Sequence, residues 1–136
     1  MRKKPTIATL VNKAAVILQR IVRMKAADEN GYAACVTCGK VDHFTCMDGG
    51  HFVSRTYTAH KLLEENIHVQ CKKCNGFKGG EYQAYTLYMI DTYGRDFVDD
   101  LLATKNQTKK YNRVEILGVI EDLKQYESQI KQERGL

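Results

Sequence analysis

Between residues 6 and 28 apolar side chains return every three or four positions, at Ile7, Leu10, Val11, Ala14, Leu18, Ile21 and Val22. That is the period of one helical face, and with Thr6 placed as a cap and Gly31 beyond the end it predicts an amphipathic helix over 6–28. Lys13, Arg20 and Arg23 fall together on another face, open either to water or to phosphates. The helical period then stops. Residues 31–75 bring glycines, cysteines, histidines and short β-prone runs, with Asp48-Gly49-Gly50 as a turn signal before His51-Phe52-Val53. The helical period resumes over 81–93, where Tyr82, Tyr85, Met89 and Tyr93 share one face, a spacing more typical of core packing than of base stacking. A short helix over Phe97 to Ala103, a polar link from Thr104 to Tyr111 and a last helix follow. Asn112 and Glu115 make a capping box for that last helix, and its apolar side, Ile116, Leu117, Ile120, Leu123 and Ile130, needs either the first helix or a second copy of the chain.

These patterns divide the chain into a basic N-terminal helix (1–30), a cysteine-rich core (31–80) and a helical C-terminal extension (81–136). At 136 residues they fit one α+β domain with helices flanking a small core. No apolar run reaches the length of a membrane span, and the N-terminus has no secretory pattern, so an intracellular protein is expected.

That expectation gives the five cysteines a meaning, since reducing compartments disfavour disulfides and favour metal sites. Cys35-Val36-Thr37-Cys38 and Cys71-Lys72-Lys73-Cys74 are two CxxC knuckles separated by 32 residues. Four thiolates so arranged can close a tetrahedral shell on Zn²⁺. A closed shell leaves no open position, so such a zinc would hold the fold and leave the chemistry to another centre. No thioredoxin-like βαβ pattern surrounds the knuckles, which disfavours a redox role, and Cys46 is left as an ordinary unpaired thiol.

Charge adds a direction. Lys and Arg outnumber acids seven to two in residues 1–30 and six to four in 31–80, but trail eight to ten in 81–136. A polyanion would therefore meet the N-terminal half, although a net charge of +5 alone does not require nucleic acid.

Inside the loop that the knuckles would close stand Asp48-Gly49-Gly50-His51, Asn66-Ile67-His68-Val69-Gln70-Cys71 and Cys74-Asn75. The pattern resembles the HNH, or ββα-metal, nuclease motif, with His51, Asn66 and Asn75 in the motif's places. Cys74-Asn75 is also similar to the zinc-containing phage Holliday-junction resolvases. Gly50-His51, the run from Glu65 to Cys71, Cys74-Asn75, Lys78, Tyr85 and Gly94 resemble, over roughly residues 32–102, the phage recombination endonucleases called NinG or Rap. The resemblance implies a zinc-stabilised, treble-clef-like ββα core that cuts branched DNA, such as Holliday junctions or D-loops, in the cytoplasm of a bacterial host.

The residue types suit that chemistry. An imidazole titrating near neutrality serves as general base at His51, and an oxygen ligand at Asn75 suits one hydrated Mg²⁺ or Mn²⁺. By analogy with the family, Asn66 orients the imidazole. Many HNH enzymes place an aspartate directly before the histidine as second metal ligand; here that position is Gly50, so either the nearest carboxylate, Asp48, swings in from the turn or the ligand comes from elsewhere. Arg55, Lys61, Lys72, Lys73 and Lys78 are candidate phosphate contacts, joined by Lys13, Arg20 and Arg23 on the first helix. His68 either meets the site or braces the hairpin, and His43 and His60 have only loop or surface roles. A non-catalytic zinc-finger DNA-binding accessory protein of recombination remains the alternative.

Overall fold

A computed structural model describes residues 3–136. Helix α1 (Ile7–Ala26) begins at Thr6, whose side chain accepts from the Thr9 N–H, and buries Leu10, Ala14, Ile17, Leu18, Ile21 and Met24. Strands β1 (Tyr32–Ala34) and β2 (Val41–His43) form an antiparallel hairpin whose connection carries the first CxxC knuckle. A second antiparallel pair, β3 (Met47–His51) and β4 (Ile67–Cys71), sets Met47 opposite Cys71 and His51 opposite Ile67. The second knuckle therefore opens where β4 ends. Helices α2 (Tyr82–Tyr93) and α3 (Arg95–Ala103) follow, and α4 (Arg113–Arg134) completes the chain. No helix among the described residues is long and apolar enough to cross a membrane.

Three apolar contacts fix this arrangement. Ile116, Ile120 and Ile130 of α4 pack on Leu10, Ala14, Ile17, Ile21 and Met24 of α1, so the last helix finds its partner within the chain. The capping box at Asn112 and Glu115 forms as the sequence predicts. The two helices run parallel: at their beginnings Arg113 donates to the Pro5 carbonyl, and at their ends Arg134 donates to that of Ala27. Leu18 and Val22 of α1 pack on Ile67 of β4, which seats α1 across the second hairpin. Tyr85, Met89, Val98 and Leu101 close over Phe52 and Val53. The N-terminal helix is thus a wall of the core region and not an appendage to it.

Asp48-Gly49-Gly50 is not a turn. All three residues are strand, paired with Gln70, Val69 and His68. The glycines are needed because both faces of β3 are crowded: a Cβ on Gly49 would stand 2.9 Å from the Gln19 backbone, and one on Gly50 would stand 1.8 Å from Gln70 Oε1. Close approach inside a strand and chain reversal give the same local composition, which is why the sequence alone reads as a turn. Gly50→Ala is accordingly expected to destabilise the protein by about 2 kcal/mol through overpacking. If the Gln70 contact is the cause, Gly50→Ala/Gln70→Ala will melt no lower than Gln70→Ala alone; additive losses in thermal melts would show that the clash lies elsewhere.

The segment after the second knuckle also differs from expectation. Asn75 does not open a regular α-helix; it sits in a single wide π-type turn over Lys73–Phe77, and the regular helix starts only at Tyr82, after Gly79 and Gly80 with φ of 62° and 95°.

Candidate functional site

Each knuckle sits where a hairpin delivers it. The β1–β2 connection turns tightly at Gly39 (φ 79°), and Cys35, Cys71 and Cys74 are buried together with Ala33, Met47 and Val69 while Cys38 faces solvent. All four Sγ atoms lie within 4.8 Å of one another, and those of Cys38 and Cys71 are 3.7 Å apart. A Zn–S bond of about 2.3 Å places tetrahedral sulfurs about 3.8 Å apart, so the cluster has the spacing and donor set of a zinc site. Burial pushes the Cys35 thiol up, but hydrogen bonds from the Thr37 hydroxyl and from backbone N–H groups outweigh it and hold the thiol at about 6. Cys74 is pushed up to about 12 by burial among the other sulfurs. A dication would offset that cost. Cys46 is exposed and takes no part.

Beside this cluster lies a cavity of about 440 Å³ lined by Asp48, His51, Arg55 and Asn75, by Gln19 and Arg23 of α1, and by Gly79, Gly80 and Tyr82. Asp48 Oδ2 accepts from the Asn75 amide at 3.1 Å and Oδ1 meets Lys72 Nζ at 2.8 Å. Burial works against the Asp48 charge, but Lys72, Asn75 and the Arg23 guanidinium hold its carboxyl below the usual range. With its amide nitrogen turned to Asp48, Asn75 presents its Oδ1 near Gly50, 3.1 Å from where a Cβ there would stand. His51 Nε2 lies 3.0 Å from the Lys61 carbonyl, which can only accept, so Nε2 carries the proton and Nδ1 is bare. Burial lowers the His51 pKa, as do the nearby Arg55 and Lys61 charges, and the imidazole is neutral at pH 7.

Asp48, His51, Asn75, Arg55 and Arg23 thus share one cavity, and Asp48 reaches it from a strand without swinging from a turn. Asn66 does not contact the imidazole. It is fully buried, accepts from the Val53 N–H and donates to the Val53 and His60 carbonyls. It ties down the loop that brings the Lys61 carbonyl to His51, so any control it has over the base acts through that loop. Arg20 is also not free for phosphate: its guanidinium grips the buried Glu127 carboxylate on α4 at 2.6 and 3.2 Å. The helix-face argument missed this because the partner lies 107 residues away. Arg23 does face the cavity, while donating to the Met47 carbonyl. Lys13, Lys73 and Lys78 are exposed, Lys78 standing 3.6 Å from Glu81, and Lys61 Nζ reaches Asn12 at 2.5 Å.

His68 faces away, into tyrosines. Tyr85 donates to the Gly50 carbonyl at 2.6 Å and lies 3.1 Å from His68 Nδ1, while His68 Nε2 is 2.7 Å from the Tyr93 hydroxyl. The geometry fits one neutral tautomer, Nδ1–H donating to Tyr85 and Nε2 accepting from Tyr93. His68 is therefore a brace for β3. Burial lowers its pKa to about 4. Because the unfolded chain takes up this proton near pH 6.5 and the folded one only near 4, stability present above pH 6.5 is lost as pH falls through that window. From pH 7 to 5.5 the wild type should lose roughly 1 kcal/mol more than His68→Phe in paired denaturant melts; equal losses would remove His68 as the cause.

Two contributors went unnoticed in the sequence. Gln19 closes the cavity from α1, and Gln70, fully buried, donates to Thr37 in the first knuckle and to the Gly80 carbonyl in the cavity wall. Gln70 alternates with His68 along β4 and with Asn66 just before it, and a run of alternate polar residues leading into a buried strand is the signal that marks it.

The family model described as Bacteriophage Lambda NinG protein matches residues 3–134. Among curated proteins, Protein ninG of Escherichia phage 933W and that of Escherichia phage lambda are each 34% identical over 76 residues, covering 54% of this chain and 36% of the relative. Protein ninG of Salmonella phage P22 is 36% identical over 70 residues, covering 49% of this chain and 33% of the relative. The aligned stretch spans about a third of the length of these relatives. No solved structure matches the chain. Since the family model extends over nearly the whole sequence, the chain belongs to the NinG family.

Proposed function

We propose that this NinG-family chain is an HNH-type, divalent-metal-dependent DNA endonuclease that cuts branched recombination intermediates. The observation that carries the reading is the convergence of Asp48, His51 and Asn75 in one cavity with Arg23 and Arg55, on a hairpin anchored by four cysteines. A base, oxygen ligands and cations around one hollow are the parts phosphodiester hydrolysis requires.

The ionised Asp48 carboxylate and the Asn75 Oδ1, both on the cavity wall, are the donor types that a hard, oxygen-seeking ion takes. When bound there, Mg²⁺ or Mn²⁺ would neutralise charge on the phosphate and on the departing oxygen. His51 Nδ1 takes a proton from the attacking water as its oxygen bonds to phosphorus, and the phosphorus–oxygen bond to the leaving strand breaks. The Lys61 carbonyl keeps the imidazole in the accepting tautomer. Arg23 and Arg55 hold the non-bridging oxygens, and the sulfur cluster keeps the hairpins rigid around a structural zinc.

So small a site has few side chains with which to read bases, so selectivity must rest on backbone geometry and deformability at a branch. A digest of a four-way junction, a Y-fork, a D-loop and linear duplex at matched sequence and salt tests this. Branched substrates should be cut at least about tenfold faster, the effect of about 1.4 kcal/mol of discrimination. Equal rates would make the protein a general nicking enzyme, and binding without cutting would make it a zinc-stabilised DNA-binding accessory protein.

A further inference from the structure

Phe77 is 94% exposed, more than any other large apolar side chain in the described structure. It stands in the π-type turn two residues after Asn75, on the same segment that supplies Gly79 and Gly80 to the cavity wall. Around Gly76, Gly79 and Gly80 an added Cβ would meet nothing within 4 Å, so this segment borders open space. Among the described residues no aromatic pair, hydrogen bond or core cluster includes this ring.

Its surroundings narrow the partner. Lys72, Lys73 and Lys78 are all exposed on the same short segment, and Arg55 and a half-exposed Tyr82, stacked on Phe52 at 5.2 Å, line the neighbouring cavity. A bare aromatic ring on a lysine-rich segment suits a polyanion that also offers flat apolar faces, which is a nucleic acid. In continuous duplex those faces are covered by neighbouring base pairs. At a branch they are exposed.

We propose that Phe77 is a stacking wedge that receives an unpaired base beside the branch, while Lys73 and Lys78 hold the adjoining phosphates and the scissile phosphate enters the Asp48–His51–Asn75 cavity. The proposal rests on the nuclease reading for the identity of the nucleic acid as DNA. Its own content is the source of branch selectivity: Phe77 makes a contact that paired DNA cannot return.

The test measures binding of full-length, zinc-loaded protein to a Y-fork and to matched linear duplex without added Mg²⁺ or Mn²⁺, so that it reads independently of cutting. Single abasic sites are placed in turn at the first three unpaired nucleotides of each arm. One abasic position should weaken wild-type binding about tenfold, the scale of a lost base–aromatic stack. Phe77→Ala should lose the same factor on the intact fork and nothing further on that abasic fork, with duplex affinity and melting temperature unchanged. Phe77→Tyr should bind as wild type does, whereas Phe77→Leu, apolar but without a ring, should resemble Phe77→Ala. Wild-type fork affinity in Phe77→Ala, equal weakening on fork and duplex, or additive losses on the abasic fork would each overturn the proposal. So would a change in oligomeric state on Phe77→Ala, which would assign the ring to a second copy of the chain. If the protein never cuts DNA but these affinities behave as described, the catalytic reading fails and the wedge stands.

Discussion

Cys74→Ser is expected to yield protein that holds no stoichiometric zinc and shows no cooperative melting transition. Cys74 is 1% exposed, and its sulfur belongs to a cluster that joins two hairpins otherwise held by the apolar contacts of Ala33, Met47 and Val69, the Val36 N–H bond to the Val69 carbonyl and the Gln70–Thr37 bond. Metal binding in such a site contributes on the order of 10 kcal/mol to folding, as much as a domain's entire net stability. A serine hydroxyl is a poor substitute for a thiolate ligand. Metal analysis together with near-ultraviolet circular dichroism through a thermal ramp checks the point, and a normal transition in Cys74→Ser would contradict it. The exposed Cys46 makes the internal control: Cys46→Ser should retain both zinc and melting temperature.

The second large effect is on catalysis. His51→Ala should lower the cutting rate by roughly a thousandfold, the range of general-base contributions, with DNA affinity held within about twofold because cationic phosphate contacts supply most of it. Asp48→Asn should fail differently. It removes the charge that Lys72, Asn75 and Arg23 sustain, so the rate should recover in part when Mg²⁺ or Mn²⁺ is raised, a recovery His51→Ala cannot show. Matching metal titrations for the two variants would show that the roles have been assigned wrongly.

Much of this was legible in the sequence because it depends on local spacing. The periodicity of α1 and α4 located their buried faces, except that Leu117 turns to solvent, the Asn112 box located a helix start, and two CxxC pairs located four sulfurs that stand together in space. What eluded the sequence depends on partners remote along the chain. Arg20 and Arg23 lie three residues apart, yet one is bound to Glu127 and the other faces the cavity, and nothing in the first thirty residues distinguishes them. Asn66 carries the amide expected of an orienting residue, but the hairpin turns it toward Val53 and His60. The glycines at 49 and 50 reflect pressure from Gln19 and Gln70, visible only once α1 and β4 are in place.

The central claim is that Asp48, His51 and Asn75 form a hydrolytic site for DNA, and metal-initiated single-turnover cutting tests it most directly. Zinc-loaded wild type and His51→Ala would each be bound in excess to an end-labelled four-way junction in buffer without Mg²⁺ or Mn²⁺, and the ion then added. The account predicts no cutting before addition, a burst of nicked product from the wild type after it, and bound but intact junction with His51→Ala. Cutting by the wild type without either ion, equal product from the two proteins, or no product from a wild type that binds the junction would contradict it.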